Sequence, residues 1–320
     1  MRFLLLPFSW IYGLVILGRN CLYEFGILKS YRVTNSIGIG NLSMGGTGKT
    51  PLTLYLAQWL IKNQHKVYIL SRGYKRTSTG TIEVLASHHS HEVGDEPMMY
   101  KKRLKSQASV LVSKNRWIGS QIARKKQPEA YLLFDDIFQH RKVKPDFSIL
   151  TSPFHDLFID DLLIPAGRLR EPKRNVKRAQ CILITRCPQD LNSAMKSGII
   201  EKMSTYNRPI FFCSILYDDF ICFGEEIENI SKILLVTGIA NNQDLITHLD
   251  KSYEIEVISY SDHYSYSLED MEEIHQKFNS FADEQSIILT TEKDMVRMLQ
   301  FKEYIESHKL PVYFQPISID

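Results

Sequence analysis

Positions 43 to 50 read SMGGTGKT, a run whose residue types and spacing suit the binding of a polyphosphate. Glycines free successive backbone N–H groups to surround phosphate oxygens at the start of a helix. A lysine then reaches the terminal phosphates, and a hydroxyl residue serves Mg2+. Gly45, Gly46 and Gly48 supply the freedom, Lys49 the charge and Thr50 the hydroxyl, while Ser43, Met44 and Thr47 complete the loop. Ser43 stands where the general pattern has glycine. A chance glycine-rich turn would lack the right flanks, whereas here SIGIG (36–40) reads as a strand and PLTLYLAQWLIKNQ as a helix. Pro51 is compatible with a first helical turn, where no intrahelical donor is lost.

A phosphate cradle of this type needs an acidic partner for Mg2+ at the end of a neighbouring strand. AYLLFDD (130–136) offers Asp135 and Asp136, which in isolation could equally be a solvated strand end. The chain has no NKxD element for guanine, since TEKD (291–294) sets Lys293 beside Asp294. Met44 occupies the position of the signature lysine of KGGxGK ATPases. Both gaps favour a kinase over a switch or partitioning ATPase. His88, His89 and His91 form a cluster that a polar loop explains better than a metal site. His140 lies nearer the acidic pair, and as a nitrogen ligand it suits loop or substrate orientation better than Mg2+. Arg72 is an anion-binding candidate. The segment 168–178, RLREPKRNVKR, has six Lys/Arg against one Glu; a solvated loop is the plainer reading, anion binding the sharper one.

These residues need a scaffold, and the rest of the chain describes one. Its 320 residues are 44% hydrophobic and 23% charged, ordinary for a globular protein of two domains or one large α/β unit. A net charge of +3 is too small to indicate a nucleic-acid partner. Five cysteines without CxxC spacing fit buried thiols better than disulfides or zinc. Apolar runs at 36–40, 66–72, 130–136, 146–151 and 180–186 alternate with helical patterns, which predicts a parallel sheet covered on both faces with ligands beyond the carboxyl ends of its strands. A second series, KILLVTGIA, EIEVISYSDHY and SIILTTEKD, predicts a smaller α/β domain. RPIFFCSIL (208–216) and VYFQPISI (312–319) read as two strands that could pair as a ribbon between the domains. The N-terminal FLLLPFSWIYGLVILG (3–18) falls short of the roughly 20 residues of a membrane-spanning helix. Its apolar character and aromatics suit a helix lying in a membrane interface, or alternatively a core helix.

In their order along the chain, GNLSMGGTGKTP, LSRGYKR (70–76), VGDEP (93–97), DDIFQH (135–140), LLIPAGRLREP (162–172), SDHYSY (261–266) and TTEKD (290–294) closely resemble the tetraacyldisaccharide 4'-kinase family of lipid A synthesis. The likeness covers essentially the whole chain. It implies transfer of the γ-phosphate of ATP, with Mg2+, to the 4'-hydroxyl of a tetraacyldisaccharide 1-phosphate at the cytoplasmic face of the bacterial inner membrane. It also implies two α/β/α domains joined by a two-stranded linker, with the active site between them. The expected division is a membrane-associated helix at 1–24, a P-loop domain at 25–207, linker strands at 208–218 and 311–320, and a smaller domain at 219–310, in a monomer. Asp95 matches the family's catalytic aspartate and His263 its histidine partner; by themselves they read as a turn residue and a strand-end surface histidine. Lys49 joins them as a catalytic group, and Thr50, Asp135 and Asp136 serve the metal. Arg170 matches the LREP arginine and is expected on phosphate with Glu171 holding it; Glu96, His140 and Arg72 are further substrate-side candidates. The family's serine-for-glycine position commonly holds Thr, and Ile137 stands where members usually have Gly. The competing reading is a membrane-associated P-loop ATPase that acts on a protein partner, and a third is a noncatalytic lipid-binding protein.

Overall fold

The computed structural model describes residues 2–320. The chain opens with α1 (Leu6–Glu24), β1 (Tyr31–Gly40), α2 (Lys49–Lys62), β2 (Val67–Ser71), β3 (Thr81–Glu83), α3 (Ser90–Val93), α4 (Asp95–Leu104) and β4 (Ser109–Ser113). It continues through α5 (Arg116–Lys126), β5 (Tyr131–Phe134), β6 (Val143–Pro153), β7 (Cys181–Cys187), α6 (Ser193–Met203) and β8 (Ile210–Tyr217). A second unit follows: β9 (Ile221–Cys222), β10 (Lys232–Thr237), α7 (Gln243–Leu249), β11 (Glu254–Ser259), α8 (Leu268–Phe281), β12 (Ser286–Thr291), α9 (Glu292–Met298), α10 (Lys302–Ser307) and β13 (Val312–Gln315). The chain ends on β14 (Ile317–Ile319).

The large sheet has the order β14-β8-β7-β6-β1-β5-β2-β4-β3, parallel except at its two edges, where β3 and β14 run antiparallel to their neighbours. Its inner strands are Val/Ile/Leu-rich and closed to solvent on both faces, as a parallel sheet between helical layers requires. One face packs against α2 and α4 through Leu54, Leu60, Met98 and Tyr100, while Leu70, Leu111 and Phe134 pack toward α5 on the other. The smaller sheet, β11-β10-β12-β13-β9, is parallel apart from β9. The loops after β1, β2, β5 and β7 leave the carboxyl edge of the large sheet, and β1 lies between β5 and β6.

Two sequence expectations are corrected. The expected final strand 312–319 is two strands: Pro316 breaks it, so that β13 belongs to the small sheet and β14 pairs with β8 at the edge of the large one. The two segments do pair, β14 with β8, but as the edge of the large sheet and not as a separate ribbon, since the 208–216 strand also runs parallel to β7. Strand β4, SVLVS, lies outside the expected strands; a run of five residues with three apolar ones in succession gives little periodicity to read.

Helix α1 is inside out for a core helix. Ser9 and Asn20 are buried, while Phe8, Trp10, Ile11, Leu14 and Val15 are 60–67% exposed. The polar side holds it to the protein: Ser9 Oγ donates to the Leu163 carbonyl at 2.9 Å, Tyr12 to the Arg170 carbonyl at 2.7 Å, and Arg141 to Asn20 at 2.9 Å. Among the described residues no helix is long and apolar enough to cross a membrane.

Candidate active site

The glycine-rich loop leaves β1 and enters α2 with Gly48 as its N-cap, in the left-handed conformation at φ 74°. A side chain there would be strained and would also meet Thr185 Cβ at 3.0 Å. Thr185, near the end of β7, donates from Oγ1 to the Thr47 carbonyl, and Thr47 shares a 2.9 Å hydrogen bond with Thr151 of β6. The loop is thus fixed from below while Met44, Gly45 and Gly46 stay exposed. Ser43 is buried, and its backbone forms an antiparallel bridge to Leu169. Met44 N–H donates to the Arg168 carbonyl at 2.8 Å, and Arg170 N–H to the Leu42 carbonyl at 2.7 Å. That pairing is ordinary extended backbone, so the missing glycine costs the loop no required conformation.

Lys49 lies 3.6 Å from Asp136. Arg170 grips the same carboxylate with both oxygens engaged, Nη1 at 3.1 Å and Nη2 at 2.9 Å, and also bonds the Asn41 side chain. Burial works against the Asp136 charge, but Lys49 and Arg170 outweigh it and hold the carboxyl far below its usual range. Asp135 has the opposite fate: burial, then the Asp136 charge, push it up to about 6. Ser71 donates to its Oδ2 at 3.3 Å, while Oδ1 is buried with no partner. The positive φ of 46° falls at Asp136, not at Ile137. Ile137 therefore needs no glycine-like backbone; its side chain packs over Gly38 of β1 and is 3% exposed. Arg116, the first residue of α5, is buried beside this pair and is pulled down to about 10 by burial against the attraction of Asp136 and Asp135.

The second cluster bridges the two units. Asp95 opens α4 in the large unit, and its Oδ2 accepts from His263 Nδ1 at 2.8 Å and from Arg297 Nε and Nη2 at 3.0 and 2.8 Å. Burial alone would raise the Asp95 carboxyl, yet the His263 and Arg297 hydrogen bonds and the Arg297 charge bring it to about 2. Lys293 Nζ sits 3.2 Å from His263 Nε2 and 3.0 Å from Glu96 Oε1. An ammonium has only donors, so His263 Nε2 accepts and Nδ1 carries the proton that is given to Asp95. His263 itself is at φ 58°, held by its N–H to the Gly238 carbonyl at 3.2 Å. Glu96 also adds negative potential at Asp135, so the Asp95–His263 cluster lies within electrostatic reach of the acidic pair at the cradle.

The remaining candidates divide. Arg72 is exposed after β2, close enough to add positive potential at Arg116 and His140. Burial, with Arg116 next, drives His140 down to about 4, and its buried Nε2 has no partner. Glu171 does not hold Arg170, contrary to expectation. It is 1% exposed and accepts from Asn175 at 2.6 Å and from Arg178, turned inward from the site. Arg170 is held instead by Asp136 and Asn41. Sequence reading missed Asn41, Arg116, Lys293 and Arg297. For Lys293 the TTEKD motif was the available signal; Arg297 lies three residues beyond it, one helical turn on, facing the same way as Asp294, to which it bonds at 2.6 Å. His88, His89 and His91 gather no metal-ligand group among the described residues.

A model of the family described as LpxK, tetraacyldisaccharide-1-P 4'-kinase, matches residues 1–320. The chain is similar to the tetraacyldisaccharide 4'-kinase of Bacteroides thetaiotaomicron, 39% identical over 338 residues that take in 99% of this chain and 88% of that protein. It is equally similar to the Flavobacterium psychrophilum protein of the same name, 39% identical over 93% of this chain and 88% of that one. Among solved structures, the crystal structure of LpxK from Aquifex aeolicus in complex with ATP is similar at a TM-score of 0.75 and 29% identity, covering 100% of this chain and 94% of that one.

Proposed function

The chain belongs to the tetraacyldisaccharide 4'-kinase family, and from that footing we propose that the surface linking its phosphate cradle to the Asp95–His263 pair is where phosphate passes from ATP to a lipid. The protein is an ATP-dependent kinase that phosphorylates the 4'-hydroxyl of a tetraacyldisaccharide 1-phosphate in lipid A biosynthesis. The observation that carries the site assignment is the hydrogen-bonded cluster of Asp95, His263, Lys293 and Glu96 gathered from both units, with Glu96 near enough to act on the charge of Asp135 beside the Lys49–Asp136 pair of the cradle.

On this reading the backbone N–H groups of 45–48 and Lys49 bind the β- and γ-phosphates at the start of α2. Asp135 suits Mg2+: its orphaned buried oxygen and its raised pKa both report a site that lacks a positive charge. Asp136, with both oxygens taken by Arg170, suits it less. Thr50 would complete the protein's share, which for Mg2+ is small because phosphate and water fill the rest. When bound, the ion neutralises charge building on the phosphate oxygens. Asp95 orients the acceptor hydroxyl and takes its proton late in the transfer, with His263 donating to its Oδ2 and holding the carboxylate in place. Arg170, Arg72 and His140 line the side where an anionic lipid headgroup would sit.

The exposed apolar face of α1 supports placement at the cytoplasmic face of the bacterial inner membrane, lying in the interface without spanning it. Lys173, Arg174 and Lys177 follow in the segment beside it, a set of charges suited to anionic headgroups. The test is to incubate the pure protein with radiolabelled ATP, Mg2+ and tetraacyldisaccharide 1-phosphate. Label enters the lipid with the native chain, and Lys49→Ala reduces turnover by orders of magnitude; ATP turnover without labelled lipid favours the ATPase alternative and overturns the assignment.

A further inference from the structure

Arg186 is a cationic side chain that the reaction as described leaves unused. It stands at the end of β7, one residue after the Thr185 that supports the phosphate loop. Its backbone is left-handed at φ 54°, and the pairing of β7 with β8 slips between Ile184 and Cys187 to accommodate it. For a non-glycine residue that conformation is uncommon and costly, and here it accompanies a side chain that reaches the loop. A Cβ added to Gly46 would lie 3.4 Å from Arg186 Nη2, so the guanidinium lies across the exposed rim of the cradle. Its Nε is buried with no partner, and its closest acidic neighbour is Asp244 of α7, in the other unit, at 4.0 Å.

The order of strands says which part of a nucleotide passes there. Lys49, Asp136 and Asp135 mark the γ-phosphate end, on the β5 side of β1. The other end of the polyphosphate must leave on the opposite side, over β6 and then β7. Arg186 is therefore on the nucleoside side of the cradle, away from the reacting phosphate. A planar guanidinium there offers a stacking face to a purine ring, which an ammonium does not. Guanine-reading elements carry an aspartate two residues beyond their basic residue; here that position is Pro188, so nothing at it selects guanine.

We propose that Arg186 is the platform on which the purine of bound ATP stacks, and that Asp244 holds the guanidinium in place from the second unit. The proposal rests on the phosphate-loop assignment above. It is tested by calorimetric titration of the full chain with ATP and, separately, with inorganic triphosphate. Arg186→Ala weakens ATP about tenfold or more and leaves inorganic triphosphate unchanged. Arg186→Lys keeps the charge, loses the flat face, and falls between; Asp244→Asn weakens ATP by a smaller factor. In turnover, the KM for ATP rises in Arg186→Ala while kcat and the KM for lipid stay as in the native chain, a split that general loss of structure does not give. Equal weakening of both ligands would make Arg186 a phosphate contact and overturn the proposal, as would no weakening of ATP in Arg186→Ala and Arg186→Lys. Lys49→Ala is the control for the underlying assignment: it weakens both ligands, and if it weakens neither, the phosphate loop itself is wrongly placed.

Discussion

In the proposed reaction Asp95 accepts a proton while held at a pKa of about 2, which is weak for a base acting near neutrality. Phosphoryl transfer tolerates this, because the transition state is loose and the hydroxyl becomes acidic only as the new bond forms. What Arg297 secures is that Asp95 stays ionised and aimed, with Oδ2 occupied by donors from the other unit. The sign of the pH effect follows. A carboxyl lowered from 3.8 to about 2 by folding contributes stability above about pH 4, and that contribution is lost as pH falls through 2. Arg297→Ala raises the Asp95 pKa, so the acid limb of kcat/KM moves upward by about one to two pH units. An unmoved acid limb would show that Asp95 ionisation does not govern activity. The same change leaves Asp294 and Asp95 buried without their cation, lowering stability by about 3–5 kcal/mol in denaturant unfolding. Asp95→Asn keeps the shape and removes the acceptor, and turnover is expected to fall about 10²–10⁴-fold; undiminished turnover would remove Asp95 from the chemistry.

At the scale of elements, legibility in the sequence tracked how local each cause is. The phosphate loop could be read because its cradle is built by consecutive residues between a strand and a helix, and a local pattern records that. VGDEP and SRGY could be noticed as motifs, but not what joins them: Gly94, at φ 98°, lies so close to Gly73 that a Cβ on Gly94 would stand 2.9 Å from the Gly73 Cα. Arg116 and Asn41 act through partners far along the chain, and Glu171 was misassigned because adjacency to Arg170 says nothing about which way a buried side chain turns. Helix α1 is the mixed case. Its apolarity is plain in the sequence, whereas which side meets the protein is not: Ser9, Tyr12 and Asn20 face inward, which leaves the apolar side outward. Because Trp10 and Leu14 touch little, Trp10→Glu with Leu14→Glu should leave the melting temperature nearly unchanged. Co-sedimentation with vesicles containing anionic lipid should drop several-fold. Retained sedimentation would mean that α1 does not anchor the protein, and a large loss of melting temperature would mean that its apolar face is packed after all.

For the whole molecule, the question is how firmly two separately built sheets hold an active site assembled from both. Met295, Val296 and Phe314 of the second unit share a core cluster with Met98, Met99 and Tyr100 of α4, so the junction is apolar at its centre. Around it, Arg103 of α4 meets Glu292 through two hydrogen bonds at 2.9 and 2.8 Å and donates to the Ile317 carbonyl at 2.9 Å. Asp218, where the chain first crosses between units, lies 3.7 Å from Arg103 and accepts from Ser318 at 2.7 Å near the return crossing. One arginine thus fastens α4, α9 and both crossings. The arrangement couples the active site to the joint, since Asp95 and Arg103 share α4 while Glu292, Lys293 and Arg297 share α9. Arg103→Ala strands a Glu292 that is nearly closed to solvent, and burial already pushes its carboxyl up against the pull of Arg103. The expected cost is about 3 kcal/mol, toward the lower end for breaking a buried pair because Arg103 is partly open to water. The native chain should unfold in denaturant as one transition; Arg103→Ala should unfold as two, with activity, which needs both units, lost at a lower concentration than the tryptophan fluorescence, whose three residues, Trp10, Trp59 and Trp117, all lie in the large unit. Activity below the first transition should fall mainly in kcat, since the units still bind ATP but bring His263 to Asp95 less often. A single transition, merely shifted, would show that the apolar centre alone couples the units and that Arg103 contributes only stability.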